Sequence, residues 1–244
     1  PASLSTVHRV SSVVGHPATL RGWLAAWRRI HCIARLPWIG DKDPFLVAVQ
    51  WGLRKSLGPP AVRPRCRRPL LRRVLKVAAQ QKLWIVGAFA VLAYTFGLRV
   101  PSELVRQGKR SAFAVQASRI SYGPIRRKGK EHSQTLTRWC VCKSDSLLCV
   151  HNWLSVICEM RPEGPLFLES THTLMKQFVE LLVHLAVEDH SQFTSHCFRR
   201  GAAADVLEEH GLASMLNFGQ WSSPAAAMPY ASADEQTARA LGNA

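Results

Sequence analysis

The chain has 244 residues, 47% of them apolar, with a formal net charge of +16 and a pI near 10.3. That apolar share supports a packed core and excludes wholesale disorder, and the length admits one large domain or two modest ones. The charge points to a polyanionic partner, most often nucleic acid, while no basic amphipathic anchor or lipidation motif argues for a membrane.

The charge is unevenly placed. Residues 1–76 hold 15 Lys/Arg against 2 Asp/Glu, and residues 99–130 hold 9 against 1, whereas residues 131–244 hold 7 against 13. A basic first half with an acidic rear suits a protein that turns one side to a phosphate backbone. Seven cysteines, an odd number without a signal peptide, lead us to expect reduced thiols in an intracellular protein. Pro1 in place of an initiator methionine leads us to expect a fragment.

In chain order, Ala18–Ala34 repeats apolar residues at helical spacing, and the turn at 41–44 opens a second helix through FLVAVQWGLRKSLG. We expect residues 1–57 to form a partial helical domain. Residues 58–70, GPPAVRPRCRRPL, set four arginines among prolines and a glycine, and read as a basic linker and domain boundary. Residues 71–244 then form the larger domain. Leu71–Gln80 is helical, and the apolar run Leu83–Leu98 is too short for the ~20 residues of a membrane span, so it reads as a buried core helix. GLRVPSEL follows, with Gly97 ending one helix and Pro101–Ser102 opening another that carries Glu103 in its first turn.

A short antiparallel sheet is expected over 112–143, where RISYGPIRRKGK and TLTRWCVC carry β-branched residues around a Gly/Pro turn. Helices return at LLCVHNWLSVICEM and at THTLMKQFVELLVHLAVE. The last stretch, Thr194–Tyr230, begins with Thr194 or Ser195 as a cap, runs through GAAADVLEEH, and stops at Gly211. His196 and Arg199, three apart, share a helix face. Trp221 and Tyr230 follow, with Pro229 directly before the tyrosine.

The ordered set Arg99, Lys128 or Lys130, His196-x-x-Arg199, Trp221 and Tyr230 resembles the catalytic signature of the tyrosine recombinases, the phage-integrase family. GLRVPSEL, IRRKGKEH, SHCFRRGAA and FGQWSS are similar to that family's successive boxes. The resemblance covers about residues 70–235, and the residues before it are similar to the end of the family's helical core-binding domain. It implies a mainly α fold with a small antiparallel sheet. It also implies site-specific cleavage and rejoining of double-stranded DNA, in a mobile element, by a homo-oligomer that is a tetramer on DNA in the nucleus or nucleoid.

By that resemblance Arg99 and Arg199 clamp the phosphate oxygens and Tyr230 attacks phosphorus. His196 assists the proton transfer and Trp221 donates its indole N–H. Lys128, with Lys130 as the reserve, protonates the departing 5′ oxygen. Glu103 orients Arg99, although here R-V-P-S-E is one residue longer than the commonest form of that box. Arg63, Arg65, Arg67, Arg68, Arg126, Arg127 and Arg200 are expected to touch DNA. Neither metal, ATP nor any other cofactor is implied.

Three other readings compete. One is a DNA-binding relative of the same fold that has lost cleavage. A second is a type IB topoisomerase, which shares the chemistry. The third is a zinc-stabilised module built on Cys140-x-Cys142 and Cys149-x-His151, against which plain buried thiols are the favoured expectation.

Overall fold

The computed structural model describes residues 8–9, 17–38, 43–56, 63–127 and 131–231. It divides into two compact units, Pro1–Val62 and Arg63–Ala244.

The first unit holds helices α1 (Pro17–Ile33) and α2 (Pro44–Ser56). Each begins on a proline, whose fixed φ and missing N–H suit the first helical position. Asp43 Oδ1 accepts a 3.0 Å hydrogen bond from the Leu46 N–H and so caps α2. Leu20, Leu24 and Leu46 form a small core, with Trp23, Trp38, Val49 and Leu53 packed around it.

The second unit is built around α4 (Trp84–Thr95), which follows α3 (Arg68–Gln80). Residues Val86–Tyr94 of α4 are all buried, as expected for a helix apolar on every face. It packs against α3, α5 (Val150–Met160), α6 (Thr171–His184) and α7 (Cys197–Gly219). Among the described residues no helix is long and apolar enough to cross a membrane. Phe89 of α4 meets Phe198 of α7 edge-on at 5.5 Å, and Phe198 meets Phe178 of α6 at 4.7 Å. α6 ends earlier than its apolar pattern implies, because Ala186 takes a positive φ and the Val187 N–H turns back to the Leu182 carbonyl.

Strands β1 (Phe113–Val115), β2 (Arg119–Ile125) and β3 (Gln134–Trp139) form an antiparallel sheet in that order. Ile120, Tyr122 and Ile125 of β2 are buried, and a register shift between Tyr122 and Ile125 spans the Gly123–Pro124 pair. The expected lysine turn, residues 128–130, lies outside the described residues.

One expectation about α7 needs correction. The start of α7 is not capped by a Thr194 or Ser195 side chain. His196 occupies the cap position, and the Cys197 N–H bonds the Thr194 carbonyl. Gly211, at φ 78 and ψ 177, stops the first helical segment of α7 as its sequence implies, and a second segment runs on to Gly219 before α8 (Pro224–Ala231).

The described part of the expected linker, 63–70, is not a loose connector. Cys66 is buried, and its N–H bonds the Cys197 carbonyl at 3.1 Å. Asp205 of α7, 3% exposed, accepts from Arg67 Nε (2.6 Å), from the Arg68 N–H (2.9 Å) and from the Tyr94 hydroxyl. Arg67 also pairs with Glu208, and Arg68 with Glu209 at 2.7 Å. These two arginines, expected on a phosphate backbone, therefore fasten the chain entry to α7. Asp205→Ala is expected to lower the unfolding free energy by about 3 kcal/mol, because it strands three buried or half-buried donors. Urea denaturation measures it, and a loss below about 1 kcal/mol would show that the network is dispensable.

Candidate active site

The turn after α4 sets the geometry. Gly97 has φ +58, and a Cβ there would lie 2.7 Å from the Phe218 ring, so no other residue fits that turn comfortably. Arg99 follows, and Val100–Val105 forms a π-helical turn. A π turn holds one more residue than an α turn. That widening accommodates the extra residue of R-V-P-S-E and leaves Glu103 folded back on Arg99. Glu103 Oε2 accepts from the Arg99 N–H at 2.9 Å, and Oε1 accepts from Arg99 Nη1 at 2.7 Å.

Glu103 is fully buried. The Tyr122 hydroxyl donates to its backbone carbonyl, which ties this turn to the sheet. Its carboxylate also accepts from Arg127 Nη2 at 3.1 Å and lies 4.0 Å from Arg199 Nη1. Burial pushes the Glu103 carboxyl up. Hydrogen bonding and charge from Arg127, the Arg99 N–H and the Arg199 charge outweigh it, so the carboxyl stays below its ordinary range and ionised.

Arg199 is 1% exposed. Its guanidinium donates to the Gly97 carbonyl and, at 2.8 Å, to the Gly219 carbonyl. Burial and then the Arg127 charge pull its pKa down to about 10, with Glu103 acting in the opposite direction. The group remains charged at neutral pH. Its Nε–H, buried, has no hydrogen-bond partner among the described residues.

Tyr230 and Trp221 close over the same guanidinium. Gln220 adopts the left-handed conformation (φ 53, ψ 42), and the Trp221 N–H turns back to the Leu216 carbonyl at 3.0 Å. Trp221 folds against Gly219, where a Cβ would strike the indole. Arg199 Cζ lies 4.6 Å from the Trp221 ring centre and 5.3 Å from that of Tyr230. The Tyr230 ring is 5.0 Å from Trp221 and 6.3 Å from His196. Burial, followed by the charges of Arg200, Arg199, Arg99 and Arg63, holds the His196 imidazole below its ordinary range. It is therefore neutral at pH 7 and able to take a proton.

Several arginines, a neutral imidazole, an indole and a phenol thus share one region. Three solved structures share the fold around it. The XerA recombinase superposes with a TM-score of 0.55 and 16% identity, over 93% of this chain and 82% of that one. The XerH site-specific recombinase, bound to difH substrate before cleavage, gives 0.52 and 12%, over 93% and 70%. The same enzyme on palindromic difH after cleavage gives 0.52 and 12%, over 81% and 62%. The chain has the tyrosine-recombinase fold. No protein-family model matches the sequence, and no curated protein matches it.

On this fold, Arg99, Glu103, His196, Arg199, Trp221 and Tyr230 are brought together. Lys128 and Lys130 lie outside the described residues. Lys128 directly follows Arg127, which was expected on the DNA-facing surface and is instead buried at 4% exposure on Glu103. No periodicity marked it, since it stands in a run of basic residues. Arg126 is exposed, its backbone held by the Gln107 side chain at 2.7 and 3.0 Å. Arg63 and Arg200 are near enough to His196 to act on its charge, and Arg65 is half-buried.

Sequence reasoning missed the glycine carbonyls, the Tyr122 hydroxyl and Arg138. Arg138 donates to the Thr95 carbonyl at 2.9 Å and lies over the Phe218 ring at 4.7 Å. Its place on a strand of polar alternation gave no signal.

Glu103→Gln tests the network. The folded pKa lies below the ordinary 4.5, so the stabilisation is complete above that value and is lost as pH falls through the folded value. The variant is expected to lose about 3 kcal/mol at pH 7, and the gap between the two proteins should narrow below pH ~4.5. A gap that stays constant down to acid unfolding would show that the carboxylate charge is not what matters.

Proposed function

We propose that this protein is a site-specific DNA recombinase that cleaves and rejoins DNA through a covalent 3′-phosphotyrosine at Tyr230. The observation that carries the reading is the stacking of Trp221 and Tyr230 over the buried Arg199 guanidinium, with neutral His196 beside the phenol. XerH, a solved protein of the same fold, was seen on its DNA substrate before and after cleavage.

In the proposed reaction the Tyr230 oxygen bonds to phosphorus and the P–O5′ bond breaks. The tyrosine proton passes to His196, and Lys128 gives a proton to the departing 5′ oxygen. Arg99 and Arg199 hold the non-bridging oxygens, where negative charge builds in the transition state. The phosphotyrosine keeps the energy of the broken bond, so religation requires neither ATP nor a metal. Arg63, Arg65, Arg126 and Arg200 would meet the DNA backbone outside the site. Residues 1–57 would be part of a core-binding domain, and four copies would assemble on DNA. A mobile element, acting with nuclear or nucleoid DNA, is the proposed setting.

Two observations favour a second reading, a DNA-binding protein without cleavage. Arg199 already gives donors to the Gly97 and Gly219 carbonyls, and Pro229, inside α8, directly precedes Tyr230. Under the active reading DNA must draw Arg199 donors from those carbonyls or use its Nε–H.

A nicked suicide DNA duplex separates the two. Wild type is expected to form a covalent adduct that survives denaturation. Tyr230→Phe forms none, with DNA affinity changed less than about threefold because backbone contacts carry the binding. Arg199→Ala cleaves about 10²–10³-fold more slowly. Bound DNA without any wild-type adduct would favour the second reading. Neutralising Arg63, Arg126 and Arg200 together should flatten the salt dependence by about 0.9 for each phosphate no longer neutralised; an unchanged slope would place them off the DNA.

A further inference from the structure

Away from the arginine site, three sulfurs meet. Cys140 directly follows β3, Cys142 lies in the next turn, and Cys149 stands at the start of α5. Cys149 Sγ is 3.5 Å from Cys140 Sγ and 3.1 Å from Cys142 Sγ, and all three lie within 4.8 Å of one another. Cys149 is buried and the other two are half-buried.

The loop between them is held by its own hydrogen bonds. The Cys140 N–H bonds the Ser118 carbonyl at 2.8 Å, and the Asp145 N–H bonds the Val141 carbonyl at 2.7 Å. Asp145 Oδ1 accepts from the Leu148 N–H at 3.1 Å, and Trp153 Nε1 donates to the Leu147 carbonyl at 2.7 Å. The sulfurs are thus converged by the backbone that carries them.

Cys140 and Cys142 are close enough to be joined as a disulfide. A bond between cysteines two residues apart closes almost no loop and constrains little chain. It also leaves Cys149 without a part. A tetrahedral zinc ion would use all three sulfurs: its donors stand about 3.8 Å from one another, so the sulfurs, at 3.1 and 3.5 Å from Cys149 and with Cys140 and Cys142 in bonding contact, would spread a little once reduced to hold it.

We propose that reduced Cys140, Cys142 and Cys149 bind one zinc ion, with His151, whose ring nitrogens lie outside the 4.8 Å sulfur cluster in this structure, turning in as the fourth donor. His151 is two residues past Cys149, half-buried, in the first turn of α5. Zinc displaces one proton from each thiol, and three thiolates with a neutral imidazole complete a closed site. Such a site is structural. It ties the end of β3 to the start of α5, two residues beyond Arg138, whose guanidinium bonds the Thr95 and Phe218 carbonyls. It replaces the expectation of plain thiols and is independent of the proposed cleavage.

The test uses the full chain, expressed with added zinc and purified under reducing conditions. Elemental analysis is expected to find about one zinc per chain. Cys140→Ser, Cys142→Ser and Cys149→Ser each lose it, while Cys158→Ser keeps it. His151→Ala lowers zinc occupancy and His151→Cys restores it. Because a cysteine variant could fail to fold, Co²⁺ is also exchanged into the wild type, where thiolate-to-metal charge transfer and tetrahedral d–d bands are expected. Soluble, reduced protein without zinc or those bands overturns the proposal, as does zinc retained by all three cysteine variants. Zinc unchanged in His151→Ala removes His151 as the fourth donor.

Discussion

A carboxylate buried among three guanidiniums organises the larger unit. Isolated, Glu103 could not stay charged at that depth, because removing a carboxylate from water costs several kcal/mol. Arg99 at 2.7 Å and Arg127 at 3.1 Å keep it ionised, with Arg199 at 4.0 Å. The dependence is mutual. Three guanidiniums this close repel one another, and one carboxylate offsets only part of their charge. The remaining positive charge, with Arg200 and Arg63 near His196, favours an anion beside Tyr230. The proposed scissile phosphate is that anion.

The glycine carbonyls make this arrangement possible. Arg199 reaches both Gly97 and Gly219, so the end of α4 and the end of α7 are held by one side chain. A Cβ at either glycine would strike Phe218 or Trp221. Trp221 and Tyr230 can then fold back over Arg199. The same contacts oppose the proposed cleavage, since donors held by carbonyls are not available to a phosphate. A site that trades these carbonyls for DNA oxygens would be closed without DNA and open with it.

The helices and sheet were legible because their patterns are local. α4 is apolar on every side, and the alternation of β2 buries Ile120 and Tyr122. The ordered boxes singled out Arg99, His196, Arg199, Trp221 and Tyr230, which the fold brings together. Arg127 was not legible, because nothing in IRRKGK separates a buried arginine from solvated ones. Glu103 was obscured by an added residue, which the π turn takes up. The acidic partners of Arg67 and Arg68 lie about 140 residues away in sequence, beyond the reach of any periodicity.

The most direct measurement is a crystal structure of wild type trapped on the suicide duplex. The Tyr230 oxygen should be bonded to phosphorus, with Arg99 and Arg199 donating to its non-bridging oxygens and Glu103 still bridging Arg99 and Arg127. Arg199 left on the Gly97 and Gly219 carbonyls, with DNA bound elsewhere and Tyr230 unmodified, would contradict the account at its centre.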